Sequence, residues 1–436
     1  MRSLAAGLDI TSPKPLIYVN DANTIALVDI PTSIAHAQGT KDRPFDYTLA
    51  STEPLDTPFQ DIEPKTQAAR RRLTEQNPAL PEDELYQKLI GAALAEIRLN
   101  YHGDWCHPRR TSSFIPLEKS EQIAEQSVKR KRCSEGQSGS FDNGSTVIAT
   151  SAGDFKQINV DGHIDRASYV NITDSRCLLW IEDHSSPSQP LKFFCPPRAS
   201  FVASDCKDHA YIHGCQRARL DTNQRQMFDT DMIIIDPPWP NRSARRNRGK
   251  SSYETFKSAN DIVSLLVDLD LNKYLAHGGY VAVWVTNQHR VRDSILATDG
   301  LFAELNVVPT EEWIWVKTTI RGEPVTTLDS LWRKPYEVLL IGRHWKYDSN
   351  DQCMNPFKRR IIAGVPDLHS RKPCLKSLIE RWLHLDEGTH RILEVFARNL
   401  VSGWDSWGLE VIKFQNIEYW APCKCDITMK CTSLSC

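Results

Sequence analysis

Beyond about residue 190, short apolar runs rich in Val, Ile, Trp and Phe alternate with stretches whose apolar residues recur at helical spacing. The runs predict strands over 200–204, 232–236, 280–286, 313–318, 336–342 and 391–396. The spaced stretches predict helices over 261–275, 290–298 and 374–385. Strands that are apolar at successive positions are buried on both faces. Alternation with helices therefore implies an α/β fold built on a largely parallel sheet covered on both sides.

The first 190 residues have another texture. Helices are expected over 64–76, 81–100 and 117–132. The second places Leu85, Leu89, Ile90, Ala93, Leu94 and Ile97 near a 3.6 period and has acids in its first turn. The third ends in Lys129, Arg130, Lys131 and Arg132, followed by a Ser/Gly-rich linker near 134–145. A chain of 436 residues suggests about two to three domains. The division expected is a mixed, largely helical accessory region over 1–190, a main domain over 191–422 and a polar Cys-containing tail over 423–436. Two roles stay open for the accessory region. It recognises nucleic acid through Arg70, Arg71, Arg72, Arg109, Arg110 and Trp105, or it packs on the main domain to bury an apolar face.

Composition narrows the class. The chain is 40% hydrophobic and 25% charged with a net charge of −2, so any polyanion binding must come from a local basic patch. Its longest apolar runs are four or five residues, whereas a membrane span needs about 20. The first residues lack the apolar core of a signal peptide, and 12 Cys are too sparse for a disulfide scaffold. A soluble intracellular chain is expected.

In an open α/β sheet, ligands bind beyond the carboxyl ends of the strands. The 232–236 run ends in Asp236-Pro237-Pro238-Trp239. The prolines remove two backbone donors, which leaves an acceptor-only cup of carbonyls and carboxylate, with Trp239 as a flat face for stacking. Such a cup suits a planar molecule bearing an NH₂ group. Acceptors on the amine hydrogens turn its lone pair toward an electrophile and stabilise the charge that develops. Directly after it, Arg242, Arg245, Arg246, Arg248 and Lys250 put five cations in nine residues, with Tyr253 following. They and Asn287 are the candidate nucleic-acid contacts. No G-x-G-x-x-G motif occurs, which argues against a dinucleotide. S-adenosylmethionine needs no phosphate cradle, and Glu394 to Asn399 and Asp205 offer acceptors and a cation at strand ends.

Six motifs occur in a characteristic order: Asp236 to Trp239; Trp284-Val285-Thr286-Asn287; Lys334-Pro335-Tyr336-Glu337; His369-Ser370-Arg371-Lys372-Pro373; Glu394-Val395-Phe396-Ala397-Arg398-Asn399; and Gly403-Trp404-Asp405-Ser406-Trp407-Gly408. The set resembles the MT-A-seventy-type adenine-N6 methyltransferases, most closely the methyltransferase-like-four branch, over about residues 190–422. The resemblance implies a Rossmann-like S-adenosylmethionine-dependent fold with permuted motif order and catalysis at Asp236, Pro237, Pro238 and Trp239. It implies cofactor contacts at Asp205, with Cys206 beside it, and at Lys372, Glu394, Arg398 and Asn399. Where the family usually has Asn before Gln or Glu, this chain has Leu409-Glu410, so Glu410 is the expected contact there.

Other signals are weaker. Cys206, His209, His213 and Cys215 have zinc-like spacing, but Cys206 directly follows a cofactor candidate, and no metal is expected. Cys423, Cys425, Cys431 and Cys436 are irregularly spaced and read as a polar tail. Lys129 to Arg132 is either a nuclear localisation cluster or a helix's basic last turn; a nuclear location is the expectation. The function expected is methyl transfer to adenine N6 in RNA, such as small nuclear RNA, or in DNA. The competing readings are a catalytically silent nucleic-acid-binding scaffold and methylation of a different amino group. No obligate protein partner and no membrane are indicated.

Overall fold

The computed structural model describes residues 13–60, 66–68, 71, 75, 82–111, 146–149, 157–158, 167–181, 191–207, 230–240, 256, 258–330, 334–345, 357–368, 371–386 and 388–423. The linker near 134–145, the basic residues Arg242 to Lys250 with Tyr253, the residues His209, His213 and Cys215, and the tail beyond Cys423 lie outside the described residues.

The strands are, in chain order, β1 (Leu16–Val19), β2 (Ile25–Val28), β3 (Tyr47–Ser51), β4 (Arg110–Thr111), β5 (Thr146–Ala149), β6 (Gln157–Ile158), β7 (Ala167–Asn171), β8 (Cys177–Ile181) and β9 (Leu191–Cys195). Then follow β10 (Ser200–Ala203), β11 (Thr230–Ile235), β12 (Leu275–Val285), β13 (Val307–Lys317), β14 (Tyr336–His344), β15 (Lys358–Gly364), β16 (Ile392–Val395), β17 (Asp405–Trp407) and β18 (Trp420–Pro422). Twelve of them form one sheet in the order β1-β2-β15-β13-β14-β12-β11-β16-β17-β10-β7-β5.

All six strands expected from the apolar runs are present. The sheet is mixed, and most of its ladders are parallel, as expected. β11 runs parallel to both β12 and β16, but β14 lies antiparallel between β12 and β13. Apolar runs report burial on both faces and not strand direction, so the expectation of a largely parallel sheet did not locate the antiparallel ladders.

Side chains along each central strand alternate between two cores. Ile233, Ile235, Val281, Val283, Val338, Leu340, Ile314 and Val316 face the helices Asp83–Asn100, Ala259–Asp268 and His289–Leu296. Met232, Ile234, Ala282, Trp284, Leu339, Ile341, Trp313 and Trp315 face the helices Ile30–His36 and Lys376–Trp382. The result is three layers with the sheet in the middle. The helix expected over 261–275 stops at Asp268, because Asp270 turns left-handed with φ 51° and a single 3-10 turn leads into β12. No helix among the described residues is long and apolar enough to cross a membrane.

Residues before 190 are woven into this sheet. β2 pairs in parallel with β15, and β7 pairs antiparallel with β10. Tyr86, Ile90, Ala93, Leu94 and Ile97 of the helix Asp83–Asn100 are buried against the sheet. Two groups considered for polyanion binding are committed to packing. Arg109 donates to the carbonyls of Val365 and Pro366 at 2.8 and 2.7 Å, and Trp105 is buried in the core, with Gly322 close against its ring. A Cβ at Gly322 would run into that ring, so glycine is required there for close approach.

Candidate active site

β11, β12 and β16 end side by side, and β14 starts beside them because it runs the other way. Asp236 leaves β11 with its backbone N–H donating to Val395 O at 3.3 Å. On the same edge, the loop after β15 brings up Arg371 and Lys372. The chain after β16 brings up Phe396, Arg398 and Asn399, with Phe396 in the left-handed region at φ 61°. That conformation is strained for a side chain of this size and recurs at functional turns. Gly408 packs against this turn, where a Cβ would meet Ala397 N and Phe396 Cα at 3.1 Å.

Together these elements line a cleft that encloses about 570 Å³ of empty space, including its solvent-facing mouth. Asp236, Lys372, Glu394, Arg398 and Asn399 all contribute to its wall, with Trp284, Phe396 and Phe414 as apolar walls.

The charges at the mouth form a chain. Lys372 Nζ lies 3.0 and 3.1 Å from the two oxygens of Asp236 and 3.1 Å from Glu337 Oε2. Glu337 Oε1 is 2.6 Å from Lys317 Nζ. Burial alone would raise the Glu337 carboxyl, but Lys372 and Lys317 more than offset it and hold it down at about 2. Burial alone would lower the Lys372 ammonium, but Asp236 and Glu337 raise it overall. Glu394 goes the other way. Burial, helped by the negative charge of Asp236 and only partly offset by Arg398 and Lys372, pushes its carboxyl up to about 8. Neighbouring carboxyl groups are thus driven apart in proton affinity, a usual mark of a reactive site.

Several expected contributors have partners within the protein. Lys372, expected on the cofactor, lines the cleft and also engages Asp236. Pro237 O accepts from Trp239 N–H at 2.8 Å, which leaves that carbonyl a second lone pair. Trp239 is buried, and its indole N–H donates to Trp284 O at 2.6 Å, which braces the motif. Asn287, assigned to nucleic acid, donates its side-chain amide to Tyr336 O at 2.5 Å. Cys206 is wholly buried among apolar side chains, and that burial pushes its thiol far up; it does not line the cleft. Asp205 caps a local turn by accepting from Lys207 N–H at 3.0 Å, and it too lies outside the cleft wall. Glu410 lies 3.4 Å from Arg398 Nε and 3.2 Å from Lys413 Nζ, which makes it the orienting partner of Arg398.

Three residues without an assigned role belong here. Lys317 closes β13, so the strand-end rule that selected Asp236 also selects it. Glu337 escaped that rule because it sits at the start of an antiparallel strand. Arg371 is almost fully buried, with Nη1 donating to Ala50 O at 2.9 Å and to Asp367 at 2.5 Å, and with Phe414 4.6 Å from its guanidinium. Its Nε and Nη2 have no hydrogen-bond partner among the described residues, although the residue lines the cleft. Burial lowers its proton affinity against the opposing pull of Asp367.

The family model described as MT-A70 matches residues 230–410. The "N6-methyladenosine RNA methyltransferase MTA1" of Pyricularia oryzae is 30% identical over 427 residues, 93% of this chain and 96% of its own length. The protein of that name from Cryphonectria parasitica is 39% identical over 231 residues, so the match spans 63% of that relative and 53% of this chain. Human "N(6)-adenine-specific methyltransferase METTL4" is 34% identical over 251 residues, 48% of its length and 55% of this chain.

Proposed function

From the premise that this chain belongs to the MT-A70 family, we propose that it transfers a methyl group from S-adenosylmethionine to the N6 amine of adenine in nucleic acid. The observation that carries this reading is the Asp236 carboxylate, set at a strand end on the rim of the cleft and gripped by Lys372 through both oxygens. In chain order the Asp236 strand precedes the Glu394 strand, and we take this as the permuted form of the Rossmann-like methyltransferase fold.

The cleft suits the cofactor on its own chemistry. Arg371 lines the cleft, and its Nε and Nη2, which have no hydrogen-bond partner among the described residues, match a carboxylate. Glu394 and Asn399 supply oxygen acceptors for the ammonium and ribose, and Arg398, held by Glu410, supplies donors for ribose oxygens. When bound, S-adenosylmethionine supplies an electrophilic methyl group. This chain's residues prepare the amine. Asp236 accepts one of its hydrogens, which turns the nitrogen lone pair out of conjugation, and the carboxylate stabilises the positive charge that develops on nitrogen. Lys372 keeps that carboxylate in place, and Glu337 keeps Lys372 in place. Glu394 holds its proton near neutral pH, so a second negative charge does not compete with Asp236 for the amine. Neither proline of the motif has an N–H to repel the amine hydrogens. The sequence places Arg242, Arg245, Arg246, Arg248, Lys250 and Tyr253 directly after this motif, where they serve the phosphates of the polymer. The cluster Lys129 to Arg132 supports a nuclear location.

The relative that matches along nearly its whole length is named for RNA, so RNA is the first polymer to test, with DNA as the second arm. The test is mass spectrometry of nucleosides after incubation with methyl-labelled cofactor. Labelled N6-methyladenine is the expected product. Cofactor binding without label transfer would identify a silent scaffold, and label on cytosine would reassign the amine.

A further inference from the structure

The helix Asp83–Asn100 begins with an acid that is buried, although first-turn acids usually face water. Asp83 Oδ1 accepts from the Tyr336 hydroxyl at 3.0 Å, and Oδ2 lies 2.6 Å from Lys334 Nζ. Both partners stand at the entrance to β14, immediately before Glu337. Two further bonds hold this entrance: Lys317 N–H donates to Pro335 O at 2.7 Å, and Asn287 donates to Tyr336 O. Tyr336 packs in the core that includes the helix Asp83–Asn100. On a strand, successive side chains point to opposite faces, so Glu337 points away from that core, toward Lys317 and Lys372.

We propose that Asp83 is a positioning residue for the reaction. From the far side of the sheet it anchors Tyr336 and Lys334, which sets the strand entrance and hence the direction of Glu337. Glu337 in turn places the Lys372 ammonium on Asp236. This rests on the proposed function only for its kinetic consequence; the placement of Lys372 is a property of the folded chain. The geometry also gives a reason for the N-terminal helix to be part of the catalytic body. Its first residue reaches the reactive cluster through a single residue step along β14.

The test uses the full chain with Asp83→Ala and, because that variant removes a buried carboxylate, Tyr336→Phe as a milder second variant. Amine-selective acetylation of Lys372 is followed against pH by peptide mass spectrometry, with exposed Lys14 as reference. Loss of Glu337's support should lower the Lys372 midpoint by about half a pH unit or more while Lys14 does not move. In the kinetic arm, kcat should fall about tenfold with KM for the polynucleotide within about twofold, as expected when an interaction made only in the transition state is removed. Glu337→Gln should reproduce the effect, and adding Asp83→Ala to it should cost nothing further. An unchanged Lys372 midpoint in a folded variant, or additive losses in the double variant, overturns the proposal. If Asp83→Ala does not fold, Tyr336→Phe decides by the same midpoint. If the wild-type chain transfers no methyl group, the proposed function fails, and the acetylation midpoints still decide the role of Asp83.

Discussion

The Lys372 ammonium lies 3.0 and 3.1 Å from the two carboxylate oxygens of Asp236. This pair joins the strand end of β11 to the loop after β15, two places far apart in the chain, and sets a charged acceptor on the rim of the cleft.

Asp236→Ala is expected to abolish turnover while leaving cofactor affinity nearly intact. Losing a charge-assisted acceptor at the reacting nitrogen should cost on the order of 3 kcal/mol or more, at least a hundredfold in kcat. Single-turnover kinetics, with calorimetry of S-adenosylhomocysteine binding, reads both. Turnover near the wild-type rate would remove Asp236 from the chemistry.

Two half-buried carboxyls predict opposite pH effects on stability. Glu394 has its folded value raised from 4.5 to about 8, so it binds a proton more tightly when folded. Its contribution is complete below 4.5 and is lost as pH rises through 8. Glu337 is depressed from 4.5 to about 2, so its contribution is present above 4.5 and is lost as pH falls through 2. Melting temperature against pH should therefore lose part of its decline between about pH 4.5 and 8 in Glu394→Gln and part of its acid decline below 4.5 in Glu337→Gln.

Glu312 is fully buried between Arg292 and Arg359, with Tyr86 of the N-terminal helix donating to it at 2.8 Å. Glu312→Ala leaves two guanidinium groups without their shared anion. The expected loss is about 3–5 kcal/mol, visible as a lower urea midpoint.

A chain beginning near residue 190 loses the β2 pairing with β15 and the helix that covers Ile314 and Val316. It is expected to be insoluble or molten rather than a cofactor-binding domain. Cooperative unfolding with cofactor affinity kept would show that the N-terminal elements are separable.

Neutralising Arg245, Arg246 and Arg248 together should weaken polynucleotide binding and reduce its salt slope by about 0.7–0.9 log units for each phosphate no longer neutralised. Cofactor affinity should not change. A salt slope equal to wild type would assign these arginines to solvent.

The chain's own pattern determined the central strands and the motif at Asp236, because burial on both faces and chemistry at a strand end both leave local marks. It also singled out Glu394, Arg398 and Asn399, which the fold brings to the same cleft. Which strands run antiparallel was not legible, since an apolar strand reads the same either way. Trp239, Asn287 and Cys206 carry chemistry by residue type, yet only packing decides whether that chemistry faces a ligand or the protein's own backbone and core. Glu337 became a site residue because β14 runs antiparallel, which places its start beside the ends of its neighbours. Lys372 and Asp83 show the same limit from the other side. A charge declares its sign in sequence, but its partner is a matter of distance, and distance between residues 83, 236, 337 and 372 exists only once the sheet has assembled.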